Sequence, residues 1–296
     1  MRYRPFGPTG KAVSAISLLL RETPNMTTPQ AWRGLAYGAM ENGINCLELT
    51  AGWDVMSLGL GEALKSVERR LIFLSWRVHG DARRPLTGEM IFQSVRNGLQ
   101  KTGAGYFDLL MLEEGAYDTL TPDALGYLSD LRSGGLVLQV GIAGDGPSLN
   151  AAIASGSFDV LATPFSITSD WQARRRIREA SDQNMTIIAY DPFPAALCRP
   201  QRPQAPRGLF QHSQVDALAG AGTYAFLHET PGWSAEELCL AHTLTEPAFA
   251  TIQIDAARLE VVERLAAVGD RDLPTGVAAQ IEMARFSADQ GQQRRA

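Results

Sequence analysis

Ionisable side chains end three apolar runs of this sequence. Glu48 closes the run CLE, Arg77 closes LIFLSWR, and Glu113 and Glu114 close LLMLEE. Charged groups are rarely buried unless they are paired, so carboxylates and a guanidinium that converge on one surface need each other, a ligand or water. The set therefore predicts either a polar site that binds a small molecule or a salt-bridged ring that only closes the end of a sheet. The residues alone leave both interpretations open.

These charges can converge only if the runs that carry them are parallel neighbours. Eight short β-rich runs alternate with helix-length amphipathic segments, which is the pattern of a parallel sheet with crossover helices. Eight such units predict an α/β fold, a (β/α)8 TIM barrel, whose functional surface lies at the carboxyl ends of the strands. The predicted strands cover residues 14–20, 46–50, 71–78, 107–113, 138–143, 160–163, 186–190 and 250–254.

Capping residues fit the same order of elements. Thr28 and Thr121 each place a hydroxyl before a proline, so we expect a helix to begin at each. Three glycines are expected to close helices. They are Gly43, Gly103 and Gly134.

Three segments lie outside the eight units. Residues 1–13 contain a Gly-Pro-Thr-Gly turn and predict a β-hairpin across the barrel floor. Residues 274–290 predict an extra C-terminal helix, and residues 192–211, rich in Pro, Gln and Arg, predict a long loop beside the functional surface. A chain of 296 residues is consistent with one barrel domain spanning residues 1–296.

Composition excludes several classes of partner. The net charge is -5 and the basic residues are dispersed, which argues against binding to nucleic acid or to anionic membranes. No apolar stretch reaches the roughly 18 to 20 residues that a membrane span needs. Cys46, Cys198 and Cys239 are far apart in sequence and form no CxxC motif, so we expect a cytoplasmic protein with neither a disulfide framework nor a metal site.

Seven longer blocks of sequence occur in a characteristic order. They are MRYRPFGPTGKAVSAISL, GINCLELTAGWD, LGEALKSVERRLIFLSWRV, YFDLLMLEE, VGIAGDG, TIIAYDPF and ELCLAHTLTEPAFATIQI. Together they resemble the aldo-keto reductase family over residues 1 to about 267. The resemblance implies a barrel that reduces carbonyl compounds with NADPH through an Asp, Tyr, Lys and His tetrad, in which the tyrosine donates the proton.

The tetrad positions of the resemblance fall on Glu48, Trp53, Arg77 and Glu113, and all four are substituted. Neither an indole N–H nor a guanidinium releases a proton at a useful pH. An ionised Glu113 would oppose an alkoxide-like transition state. General acid catalysis contributes about 10² to 10⁴-fold, so we expect the chemistry of the family to be largely lost.

Several substitutions also affect the implied dinucleotide site. The corresponding positions are Ala143, Gly144, Ala162, Tyr190, Asp191 and Arg258. The first three lack the hydrogen-bonding side chains of the family, whereas Tyr190 keeps the aromatic ring that stacks on the nicotinamide. Asp191 would repel a diphosphate, and Arg258 is either a phosphate ligand or a plain surface arginine. We therefore expect no bound cofactor, although the resemblance implies NADPH.

Three functions follow as hypotheses. The first is a pseudo-reductase that binds a small-molecule ligand or a protein partner without hydride transfer. The second is an NADP-dependent oxidoreductase in which another group donates the proton. The third is a cofactor-free acid/base enzyme in which Glu48 and Glu113 carry protons and Arg77 holds a carboxylate or enolate.

Overall fold

A closed barrel of eight parallel strands forms the centre of the protein. The structure is a computed structural model that describes residues 1–81, 83–198 and 224–293. A two-stranded antiparallel hairpin precedes the barrel and consists of β1 (Tyr3–Phe6) and β2 (Lys11–Ser14). The barrel strands are β3 (Ile16–Leu20), β4 (Cys46–Thr50), β5 (Phe73–Val78), β6 (Phe107–Glu113), β7 (Val137–Ala143), β8 (Val160–Pro164), β9 (Thr186–Tyr190) and β10 (Phe249–Asp255). The predicted TIM barrel is confirmed, and β10 closes it by pairing with both β3 and β9.

Helices connect the strands and surround the barrel. In the described residues they are α1 (Pro29–Glu41), α2 (Asp54–Leu64), α3 (Gly88–Thr102), α4 (Glu114–Tyr117), α5 (Ala124–Ser133), α6 (Ser148–Ala154), α7 (Trp171–Asp182), α8 (Ala195–Cys198), α9 (Phe226–Glu229), α10 (Ala235–Thr243), α11 (Leu259–Val268) and α12 (Val277–Gln293). α12 is the predicted extra helix. None of these helices is long and apolar enough to cross a membrane.

The two predicted helix starts have different outcomes. The Thr28 hydroxyl accepts a hydrogen bond from the Ala31 amide and is followed by a proline, so α1 begins as predicted. The prediction for Thr121 is wrong, because α5 begins at Ala124 and the residue before it is Asp123, whose side chain makes no capping hydrogen bond. The Thr121 hydroxyl instead donates to the carbonyl oxygen of Leu86, which ties this turn to the loop before α3.

The three predicted closing glycines all follow helices. Gly103 caps α3 in the left-handed region at φ 62°, and Gly43 follows the cap of α1 at φ 81°. Gly134 is the cap residue of α5 but stays right-handed at φ -75°. The left-handed turn there is made by Gly135, because the chain reverses one residue later than predicted.

The N-terminal hairpin closes the barrel floor, as predicted. Phe6 is fully buried, and its ring lies 4.3 Å from the ring of Phe73, centroid to centroid. Lys11 Nζ lies 2.7 Å from Asp108 Oδ1, and Arg69 donates to Oδ2 of the same carboxylate at 2.8 Å. The floor is therefore filled by aromatic rings and a buried ion-pair cluster, which leaves the opposite end as the open mouth.

Apolar side chains occupy the barrel interior between floor and mouth. They come from alternate positions of the strands and include Leu109, Met111, Val160, Ala162 and Ile188. A larger apolar layer separates the strands from the helices. The predicted loop 192–211 begins at the mouth and includes α8, and its remaining part, 199–211, lies outside the described residues.

Candidate functional site

A buried ion pair stands at the centre of the mouth. Glu48 on β4 and Arg77 on β5 both point inward, and they are only 2% and 6% exposed. Arg77 Nε donates to Glu48 Oε1 at 2.6 Å, and the terminal nitrogen Nη2 lies 2.5 Å from the same oxygen. Burial by itself disfavours the Arg77 charge, but the carboxylates of Glu48 and Glu113 outweigh it and hold the pKa of Arg77 above its ordinary value.

Two neutral side chains complete the surroundings of Glu48. Ser75 Oγ donates to Glu48 Oε2 at 2.7 Å, and Gln253 Nε2 donates to Oε1 at 3.1 Å. Gln253 also accepts from Arg77 through its amide oxygen at 3.3 Å. Because both oxygens of Glu48 accept hydrogen bonds in a buried setting, this carboxylate positions Arg77 and is poorly placed to exchange protons with a ligand.

Glu113 extends the network towards solvent. Its side chain is 35% exposed, with Oε1 lying 3.5 Å from Arg77 Nη1 and Oε2 lying 2.6 Å from Nδ1 of His79. Burial raises the pKa of Glu113, but the hydrogen bonds and charges of His79 and Arg77 more than offset it, so the pKa lies below its ordinary value. Glu113 is therefore an anion held between two nitrogen donors.

His79 is the functional candidate that sequence reasoning missed. It follows β5 directly and lies two residues after Arg77, so it continues the inward-facing alternation of that strand. That spacing was the available signal. Its Nδ1 atom lies within hydrogen-bond distance of Glu113, and the side chain, which lines the mouth, is 45% exposed.

The mouth encloses a cavity of about 490 Å³. Its polar lining consists of Arg21, Thr50, Arg77, His79, Glu113, Tyr190, Asp191, Gln253 and Asp255. Arg21 forms an ion pair with Asp255, whose pKa is raised by burial and by Asp191 although Arg21 opposes the shift. Asp191 follows β9 in the left-handed region at φ 51°. The rim therefore carries two neighbouring carboxylates and one arginine.

Tyr190 lies beside the ion pair, with its ring centroid 5.9 Å from the Arg77 guanidinium carbon. Burial raises the pKa of this phenol well above its ordinary value, and the opposing charge of Arg77 does not cancel the effect. The ring is thus positioned to contact a ligand, but its hydroxyl is a weak acid.

Trp53 does not share this cavity. The chain turns at Gly52, where φ is 99°, and Trp53 becomes the cap residue of α2. It lines a separate cavity of about 180 Å³ with Trp76 and Lys101, between α2 and α3. The structure therefore brings Glu48, Arg77 and Glu113 together and places the fourth predicted residue apart from them.

The predicted cofactor positions are mostly neighbours at the carboxyl ends of β7, β8 and β9, but few of them line the mouth cavity. Ala143 and Ala162 are buried neighbours on β7 and β8 and belong to the apolar interior. The Gly144 amide donates to the carbonyl oxygen of Ala162 at 3.0 Å. Arg258 is an exposed cap residue of α11 and does not line the mouth cavity. Only Tyr190 and Asp191 of the predicted set line the cavity.

The loop between β7 and α6 already holds an anion of the same chain. Glu114 accepts hydrogen bonds from the Gly146 amide at 2.7 Å and the Ser148 amide at 3.1 Å. A Cβ at Gly146 would lie 2.4 Å from a Glu114 carboxylate oxygen, so the glycine is required for this close approach. The glycine-rich loop thus binds an internal carboxylate.

A larger cleft, about 760 Å³ in volume, lies on the outer surface between α6 and α7. Two of its arginines have partners within the protein: Arg175 pairs with Glu179, and Arg176 donates to the carbonyl oxygen of Asp145. The mouth cavity is smaller, but it contains the buried ion pair and the histidine. We therefore place the functional site at the mouth.

Comparison with known proteins identifies the family. The model of the aldo/keto reductase family matches residues 27–285. The chain belongs to the aldo/keto reductase family. Its members among the solved structures have the same barrel, although their low sequence identity supports similarity of fold alone.

Three of these structures illustrate the similarity. An aldo-keto reductase from Bacillus halodurans in its holo form has a TM-score of 0.74 at 19% identity, with 96% of each chain covered. An aldo-keto reductase from Klebsiella pneumoniae in complex with NADPH has a TM-score of 0.70 at 18% identity, with 96% of this chain and 95% of that chain covered. A thermostable aldo-keto reductase in complex with the inhibitor epalrestat has a TM-score of 0.71 at 17% identity, with 96% and 100% covered.

Proposed function

We propose that this member of the aldo/keto reductase family is a ligand-binding barrel that has lost the hydride transfer of the family, a pseudo-reductase. The observation that carries the proposal is the buried Glu48–Arg77 pair, extended by Glu113, at the centre of the mouth. Reduction of a carbonyl compound requires a group that donates a proton to the carbonyl oxygen. Neither the two carboxylates nor the permanently charged guanidinium can donate that proton. These three positions are, on this proposal, the remains of a catalytic tetrad.

No phenol is well placed to replace the missing proton donor among the described residues. Tyr190 lines the cavity, but burial raises the pKa of its hydroxyl. Tyr106 lies at the floor, 4.0 Å from the guanidinium carbon of Arg69, and Tyr117 packs against Phe158. This distribution argues against an NADP-dependent oxidoreductase that uses another tyrosine.

The residues at the mouth do not fit a dinucleotide. A diphosphate needs free cations or backbone amides, yet Arg21 and Arg77 are paired with carboxylates. The amides of Gly146 and Ser148 already donate to Glu114. Asp191 would add repulsion, so we expect NADPH to be excluded.

The lining favours a small polar ligand with a neutral or cationic group. The carboxylates of Glu113, Asp191 and Asp255 attract such a group, and the Tyr190 ring provides a flat apolar contact. A protein segment that inserts into the mouth is the other occupant that this proposal covers.

We further propose a single domain over residues 1–296 and a cytoplasmic location, supported by the closed barrel and by three cysteines with free thiols.

The decisive test is direct titration of the protein with NADPH, in which the fluorescence of NADPH reports binding. The Klebsiella pneumoniae enzyme, whose structure contains NADPH, serves as the positive control under the same conditions. We expect no saturable signal from this protein and no turnover of a panel of aldehydes and ketones. Micromolar affinity for NADPH would overturn the proposal, and NADPH-dependent turnover of a carbonyl compound, absent after Trp53→Ala, would support a working oxidoreductase instead.

A second candidate is cofactor-free acid/base chemistry, and the His79–Glu113 contact is the observation that favours it. A carboxylate at Nδ1 orients the ring and leaves Nε2 to accept a proton from a ligand. In such a step a C–H bond beside a carbonyl breaks, its electrons move to the carbonyl oxygen as an enolate, and His79 returns a proton or deuteron to carbon. Arg77 would stabilise the enolate, whereas Glu48 only holds Arg77 in place.

Solvent-deuterium exchange into small carbonyl compounds tests this candidate. We expect His79→Gln to slow exchange by about 10² to 10⁴-fold, the usual contribution of general base catalysis, and Glu113→Gln to slow it by a smaller factor, because Glu113 only orients the ring. Tyr106→Phe, at the floor, is the matched control and should exchange at the wild-type rate. If His79→Gln and Glu113→Gln both exchange as fast as wild type, the candidate fails.

A further inference from the structure

Two cysteines that are far apart in sequence lie side by side in the fold. Cys198 ends α8 and Cys239 is in the middle of α10, and their sulfur atoms are 3.8 Å apart. A disulfide has its sulfurs about 2.05 Å apart, so an approach of about 1.8 Å would bond them. The third cysteine, Cys46, lies in the apolar barrel interior and belongs to another cluster.

We propose that Cys198 and Cys239 form a redox-active dithiol that a small disulfide such as oxidised glutathione converts into an intramolecular disulfide. Cys198 is half-buried, whereas Cys239 is fully buried, so a co-reactant in solution meets Cys198 first. Neither residue belongs to the mouth site, and the inference is independent of what the mouth binds.

The two thiols have different chemical roles. The hydrogen bond from Cys239 lowers the pKa of Cys198, although burial and Glu236 oppose the shift, whereas the same contact and burial raise the pKa of Cys239. The Cys198 thiolate attacks one sulfur of glutathione disulfide, which forms a mixed disulfide and releases a glutathione thiolate. Cys239 then attacks Cys198, its proton passes to a glutathione thiolate, and the second glutathione leaves. One disulfide is reduced and one is formed, so the electrons balance.

This bond would fasten part of the mouth wall to the outer helices. The Cys198 amide donates to the carbonyl oxygen of Pro194 at 3.0 Å, and Pro194 lines the mouth cavity. Phe193 also lines the cavity and packs against the apolar cluster that contains Cys239. Oxidation therefore links a wall of the ligand cavity to α10.

The test is oxidation of the folded full-length chain with glutathione disulfide. Free thiols are counted, and the bond is mapped by mass spectrometry after differential alkylation and digestion. We expect the count to fall from three to one, with Cys46 remaining free and the peptides of Cys198 and Cys239 joined within one molecule. Dithiothreitol should restore all three thiols. Three remaining thiols in the folded protein, or a bond between two chains on a non-reducing gel, would overturn the proposal.

A trapping variant separates the two steps. Cys239→Ser leaves Cys198 without its partner, so a glutathione adduct should accumulate at Cys198, whereas wild type should show none at equilibrium. Cys198→Ser should form neither adduct nor bond. If wild type also retains the adduct, Cys239 cannot reach Cys198 and the dithiol proposal is wrong. Should the serine variants fail to fold, the mapped wild-type bond and its thiol count decide the question alone.

Discussion

Replacing Arg77 by methionine would remove the charge from the buried pair while keeping most of the apolar volume of the side chain. The side chains of Glu48 and Arg77 are only 3% and 7% exposed, so the carboxylate that remains has little access to water. Its bonds from Ser75 and Gln253 exist before the change and therefore do not compensate for it. Breaking a buried ion pair from one side costs about 3–5 kcal/mol, and we expect Arg77→Met to lower the free energy of unfolding by that amount.

Urea denaturation followed by circular dichroism measures this loss. Arg70→Met is the matched control, because its ion pair with Glu68 is exposed and such pairs contribute about 0–1 kcal/mol. The double variant Glu48→Gln with Arg77→Met leaves no buried charge at this position, so it should be more stable than Arg77→Met alone. The reasoning is refuted if Arg77→Met and Arg70→Met unfold at the same urea concentration, or if the double variant is no more stable than Arg77→Met alone.

Three further changes test other parts of the molecule. The folded pKa of Glu113 lies below its ordinary value, so the stabilisation that Glu113 provides is present at neutral pH and is lost as the pH falls through the folded pKa. The urea midpoints of wild type and Glu113→Gln should therefore differ at neutral pH and begin to converge only below the ordinary glutamate pKa of about 4.3. Gly146→Ala should displace the Glu114 carboxylate, because the new methyl group would lie 2.4 Å from one of its oxygens, and should cost about 1 kcal/mol through the hydrogen bonds that Glu114 then loses. Gly126→Ala meets open space in α5 and should be neutral or stabilising, and equal urea midpoints for the two variants would contradict the close contact. Phe6→Ala should cost about 3–5 kcal/mol in the same assay if the ring fills the floor, and a loss under 1 kcal/mol would show that it does not.

The fold was predictable because its signals are local and repeat along the chain. Apolar β-rich runs with turn residues between them identify the strands, and their observed ends lie within two residues of the predicted ones. Alternating side-chain direction then places Glu48, Arg77 and Glu113 at one mouth, since parallel strands end at the same edge. The failed helix start at Thr121 shows the limit, because a contact with distant Leu86 displaced the local capping preference.

The sequence by itself determined the barrel, the family and three charged residues of the mouth, because strand periodicity and block order depend on neighbours in the chain. Only the tertiary structure decided that His79 joins Glu113, that Trp53 lies outside the cavity and that Cys198 meets Cys239. These contacts depend on the direction of each side chain and on segments brought together from distant parts of the chain. The spacing of His79 two residues after Arg77 indicates which way its side chain faces, but the distances themselves arise only when the barrel closes and the helices pack around it.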